Sequence, residues 1–178
     1  MGAARLRLTG KLRRKAVEQF DHATDPHIAG YIARDYLILP SDETGLTTAA
    51  RMADAAVKTA TNHSDMPWFQ LDKGLAEYRQ GQFSSAKDWM QQALSESGVD
   101  FQRDAQALLV LAMAQQELKQ TDKARGTLAK AFEILDNRME RLDPEGILYD
   151  WVGWVIVHAL VREAEALIED NARASASP

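Results

Sequence analysis

Small side chains recur along this chain at a spacing that an isolated helix does not require. Ala49, Ala53 and Ala56 return 37 residues later as Ala86, Met90 and Ala93, and 38 residues after that as Ala124, Leu128 and Ala131. Gly74 stands 12 residues before Ala86 and Ala112 stands 12 before Ala124, so the register extends into the preceding segment. Leu46, Phe83 and Thr121 each lead their set by three residues. Repeats with a period of roughly 20–50 residues mark stacked units that cannot bury their apolar faces alone. Positions four and then three apart share one face of a helix. Lack of bulk there lets a second helix approach closely, while larger neighbours fill the groove to the next pair.

The rest of the chain agrees with a helical reading. Apolar residues are spaced by three to four, as in Leu71, Leu75 and Tyr78, in Leu108, Leu111 and Ala112, and in Leu128, Ala131, Phe132 and Leu135. No alternating run reads as a strand. Alanine supplies 28 of the 178 residues, and it loses no side-chain entropy in a helix. The joints are marked by Pro26, Pro40, Pro67 and Pro144, with Asp25 and Asp143 as capping residues ahead of two of them. Eight helices are expected near 3–20, 26–39, 45–61, 67–80, 84–97, 101–119, 122–139 and 145–170, with 171–178 a disordered tail. They form one domain over 1–170: a leading helix, repeats at about 26–61, 67–97 and 101–139, and a terminal capping helix.

The run from Trp68 through Leu71, Gly74, Tyr78, Gly81 and Phe83 to Ala86 and Lys87 resembles the first helix, glycine turn and second-helix start of the tetratricopeptide (TPR) repeat. Residues 107–131 resemble a weaker copy without the turn glycine, and 26–61 a degenerate one with a lengthened loop from Pro40 to Gly45. More narrowly, the span from Arg13-Arg14 through Asp25-Pro26 to Arg162–Ile168 resembles the C-terminal repeat region attached to some bacterial serine/threonine protein kinases. The resemblance implies an all-α, right-handed solenoid of about three helix pairs plus a cap. It also implies a non-catalytic binding or scaffold role, as the regulatory part of a signalling kinase system. Thr61, Gly98 and Asp136 stand where the family often has proline, and its basic and asparagine carboxylate clamp is missing.

In that register Trp68, Leu71, Leu75, Leu109, Val110 and Met113 form an apolar strip on the concave face, flanked by Asp72, Arg79, Gln106 and Glu117. The strip either receives a partner's amphipathic helix or apolar peptide, or is filled by the chain's own terminal helix or a second copy. In the terminal helix Trp151, Trp154, Val155, His158, Val161 and Ile168 recur at helical spacing and are expected to be its packed face, with His158 a core or interface histidine.

Several chemistries are excluded or disfavoured. The absence of cysteine removes disulfides, thiol nucleophiles and thiolate metal sites. Six basic residues against Glu18 give residues 1–20 a net charge of +5, leaving −10 for the other 158. That arm could meet nucleic acid or an anionic membrane, the alternative function, but Leu6, Leu8, Leu12, Val17 and Phe20 between its charges read as a packing face. His22, Asp25 and His27 are better explained by helix capping than by metal binding, so no metal or cofactor is expected. Acidic pairs such as Glu163 and Glu165 fall on an exposed face where nothing raises a pKa for acid–base work. There is no glycine-rich nucleotide loop and no His-Arg-Asp or Asp-Phe-Gly motif, so no enzyme is expected in this chain. Neither a signal peptide nor a membrane span is evident, and a cytoplasmic location is expected.

Overall fold

A computed structural model describes residues 2–40, 43–60, 63–96, 98, 100–139 and 151–176. Eight α-helices and no strand occur among them. They are α1 (Gly2–Gln19), α2 (Pro26–Leu37), α3 (Glu43–Thr59), α4 (Met66–Arg79), α5 (Phe83–Ala93), α6 (Phe101–Glu117), α7 (Thr121–Met139) and α8 (Trp151–Ala176), with a short 3₁₀ turn at Leu94–Glu96. The proposed start of the last helix at 145 lies outside the described residues, as do Asp143 and Pro144. At its other end α8 remains helical to Ala176, beyond residue 170 and into the segment read as tail.

Local chemistry explains where the helices begin. The Asp25 carboxylate accepts from the amides of His27 and Ile28 at 2.8 and 3.3 Å, with Pro26 opening α2. Asp100 caps α6 in the same way, accepting from Gln102 and Arg103 at 3.0 and 3.1 Å. The turns that follow α4 and α6 are built alike. Gln82 N–H donates to Glu77 O and Gly81 N–H to Tyr78 O, and 38 residues on Gln120 N–H donates to Gln115 O and Lys119 N–H to Gln116 O. Both are helix stops that need a left-handed residue. Gly81 supplies it at φ +76°, whereas Lys119 adopts φ 61° despite its side chain.

Helices pack as successive hairpins, α2 with α3, α4 with α5 and α6 with α7, and each second helix also meets the first helix of the next hairpin. On one side of the array α2 touches α4 and α4 touches α6. The repeated small residues lie where these helices meet: Ala49, Ala53, Ala56, Gly74, Ala86, Met90, Ala93, Ala112, Ala124, Leu128 and Ala131 are all buried. A Cβ on Gly74 would press on the Met90 methyl and sit 3.0 Å from Trp89 Cβ, so the α4–α5 approach depends on that glycine. α6 is enclosed on every side, with residues 102–116 buried, because α4, α5, α7 and α8 all pack around it.

Two sequence expectations need correction here. α8 turns a different face inward: Gly153, Ile156, Val157, Leu160, Ala164 and Ile168 are buried, while Val155 is 56% exposed and His158 is exposed. Trp154 and Val161 are only partly buried, and the Trp151 side chain lies outside what is described. At this seam Gly153 lies against the Gln102 side chain of α6. In α1, Val17 is fully buried as expected, but Leu12 (60% exposed) and Phe20 (39%) face water. The arm docks instead through Arg13, which donates to Tyr36 O at 2.8 Å and lies over the Tyr36 ring.

The paired turns give a test of opposite sign. Lys119→Gly is expected to raise unfolding stability by about 0.5–1 kcal/mol and Gly81→Ala to lower it by a similar amount, because the left-handed region favours only glycine. Urea denaturation of both variants measures this.

Candidate functional site

The expected apolar strip is not an open surface. Leu71, Leu75, Leu109, Val110 and Met113 are 0–2% exposed, as are Asp72 and Gln106. An apolar strip of this size gains more from packing than from contact with water, and here α2, α4 and α6 close on one another while α8 lies along α6. Of the occupants considered, the chain's own terminal helix lies along the α6 part of the strip, while the α4 part is closed by its neighbours α2, α5 and α6. Those five apolar residues are core.

Arg79 and Glu163 lock α8 in place. The Arg79 guanidinium donates to Leu37 O and Ile38 O at 2.7 Å each, satisfying carbonyls left over at the end of α2. Its other edge pairs with the Glu163 carboxylate, Nη2 to Oε2 at 2.7 Å. Glu163 is therefore a structural partner and not a free surface carboxylate. Beside it Tyr78 is pushed to a raised pKa, by burial first and by the Glu163 charge second. Glu117, the remaining flanking residue, is partly buried.

An open cleft of about 320 Å³ lies where α2, α4, α6 and α8 meet, lined by Tyr31, Arg34, Asp35, Trp68, Asp100, Gln102, Gln106, Val152, Gly153 and Ile156. Its floor is a buried ion pair. Arg34 donates to Asp72 from Nε (2.5 Å to Oδ1) and Nη2 (3.0 Å to Oδ2), a bidentate arrangement. Trp68 lies one turn before Asp72 on α4, which brings its ring under the guanidinium at 4.3 Å, while the Tyr31 ring lies 5.4 Å away on the α2 side. Gly30 permits this approach, since a Cβ there would sit 2.8 Å from Asp72 Oδ2. Burial pushes the Asp72 carboxyl up, with Arg34 pulling the other way. Burial likewise works against the Arg34 charge, but attraction to Asp72 and the hydrogen bonds raise its pKa above the ordinary value. Asp35 at the rim is raised by burial, again opposed by Arg34.

Two features suit this cleft to binding. Gln102 lines the cleft while 5% exposed, and its buried Nε2 has no hydrogen-bond partner, so the wall beside Gly153 keeps an unsatisfied donor. Tyr31 is 61% and Val152 48% exposed, forming an apolar rim. Of the residues singled out in the sequence, Trp68 and Gln106 line the cleft and Asp72 anchors its floor. Arg34 was missed, although a signal existed: Arg34 and Asp72 are opposite charges 38 residues apart, one repeat length. Gln102, Val152 and Gly153 carried no such signal, because they meet only once α8 folds onto α6. Comparison of the chain with protein-family models, curated proteins and solved structures returns no match.

The ion pair gives a stability test. Asp72→Ala is expected to cost about 3–5 kcal/mol by leaving Arg34 buried and unpaired, while Arg34→Met with Asp72→Leu recovers most of that loss. Chemical denaturation of wild type, single and double variants checks both.

Proposed function

We propose that this chain is a non-catalytic protein-interaction module of TPR type: a right-handed solenoid of three helix hairpins whose terminal helix is a cap. The 37–38-residue register of buried small residues and the hairpin-by-hairpin packing support this reading of the architecture. Its binding site is the cleft between α2, α4, α6 and α8, and its ligand is a short peptide segment of another protein. The observation that carries this is the cleft itself, about 320 Å³ among four helices, with the Trp68–Arg34 stack in its lining and the exposed Tyr31 and Val152 at its rim. An apolar or aromatic side chain of the peptide would rest against Tyr31 and Val152, and its backbone would meet the polar lining at Asp35, Asp100 and Gln106. By the kinase resemblance, such capture would serve to recruit or position components of a signalling protein.

The alternative, an electrostatic role for the basic arm, keeps Lys11 and Lys15 exposed but finds Arg13 turned inward onto Tyr36. The cleft is the better supported site.

Selection from a random-peptide display library tests the proposal. Enriched peptides are expected to bind wild type and to lose roughly tenfold or more in affinity for Gln102→Leu and Tyr31→Ala, with helicity unchanged. Equal affinity for both variants would overturn the cleft as the site.

A further inference from the structure

Away from the cleft, the start of α2 and the joint before α4 bring two imidazoles and a carboxylate together. His27, His63 and Asp65 each offer a ligand atom, and these atoms all lie within 4.8 Å of one another. His27 Nδ1 is 3.5 Å from Asp65 Oδ2. The two imidazole rings meet edge to face at 4.8 Å, and Phe69 packs against both, at 5.4 and 5.9 Å.

Apart from His27, the Asp65 carboxylate receives a long contact from the neighbouring Ser64 hydroxyl, which donates to Oδ1 at 3.5 Å. Asp65 occupies the capping position of α4 yet makes no side-chain cap hydrogen bond, unlike Asp25 and Asp100. Pro67 in the first turn has already removed one amide that a cap would serve. Asp65 is instead aimed at His27. Arg34, the cation that lines the adjoining crevice with His27, Asp65 and Phe69, is committed to Asp72.

We propose that His27, His63 and Asp65 bind a divalent first-row transition metal ion of the Zn²⁺ class, tying α2 to the entry of α4. Two neutral imidazoles and one carboxylate are ligands such ions favour over Mg²⁺ or Ca²⁺, which take oxygen. Bond lengths near 2.0–2.1 Å put tetrahedral donors about 3.3 Å apart, so the cluster must contract by about 1.5 Å at most. Its side chains have room to do so: His27 and Asp65 are 38% and 44% exposed and His63 faces solvent. His63 Nδ1 accepts from the Asp65 amide at 3.1 Å, and rotation of that exposed ring brings either nitrogen to the ion. The remaining coordination positions open to water.

The full chain is titrated with Zn²⁺ by calorimetry and with Co²⁺ by visible absorption, using wild type, Asp65→Asn, the double variant His27→Gln/His63→Gln, and His22→Gln as control. His22 lies outside the cluster and its side chain is 97% exposed. Wild type and His22→Gln are expected to take up one ion per chain with the absorption of nitrogen- and oxygen-ligated Co²⁺. The double variant and Asp65→Asn are expected to bind roughly tenfold or more weakly while keeping their helical circular dichroism. Asparagine retains the shape of Asp65, and no side-chain cap bond is lost with the charge, so a loss of affinity would not reflect unfolding. Absence of uptake by wild type, or unchanged affinity in the double variant, would overturn the site.

Discussion

Close approach of helices at small residues is the constraint on which the other features rest. With alanine at 49, 53 and 56, and at the first and last matching positions of the next two hairpins (Ala86 and Ala93, Ala124 and Ala131), helices meet near their backbones there instead of at the tips of long side chains. Gly74 does the same between α4 and α5, Gly30 between α2 and α4, and Gly153 between α8 and α6. Such seams leave little interior space, so the apolar residues between them become core. The enclosure of α6 over residues 102–116 follows from this.

The same compactness shapes the electrostatics. Where α2 and α4 close on each other, Arg34 and Asp72 are driven out of water together, and the pair is tolerable because its geometry is bidentate and the guanidinium lies over the Trp68 ring. Arg79 serves two ends at once, closing the carbonyls of α2 and receiving Glu163 from α8. Where α8 passes the start of α6 the fit is incomplete, and the cleft with the unsatisfied Gln102 amide is the result. No helix among the described residues is long and apolar enough to cross a membrane.

Much of the helical layout was legible because its signals are local. Asp25-Pro26, Gly81 and the small-residue period each act within a few residues or within one repeated unit, and the helices begin and end close to where those signals fall. The terminal helix was harder, since Trp154, Val155 and His158 carry helical spacing just as Ile156, Leu160 and Ala164 do. Which stripe turns inward depends on how α8 packs on α6, which brings Gly153 against Gln102, a contact between residues 51 apart that no local pattern reports. The apolar strip on α4 and α6 reads in sequence as a face to be covered, and in the fold its residues are buried. A strip that takes a partner and a strip that takes the chain's own helix read alike in sequence. His27 is separated from His63 and Asp65 by the rest of α2 and all of α3, so only the packing of α2 against α4 unites the three.

The central claim is that the chain's own last helix occupies the α6 face and is held there by Arg79. A double-mutant cycle on Arg79→Met and Glu163→Gln, read by chemical denaturation, measures that docking without the loss of the Leu37 and Ile38 hydrogen bonds entering the coupling. With the two side chains 7% and 24% exposed, a coupling of about 1–3 kcal/mol is expected. A coupling near zero, with additive single effects, would contradict the account by showing that α8 does not lie where Arg79 can reach it.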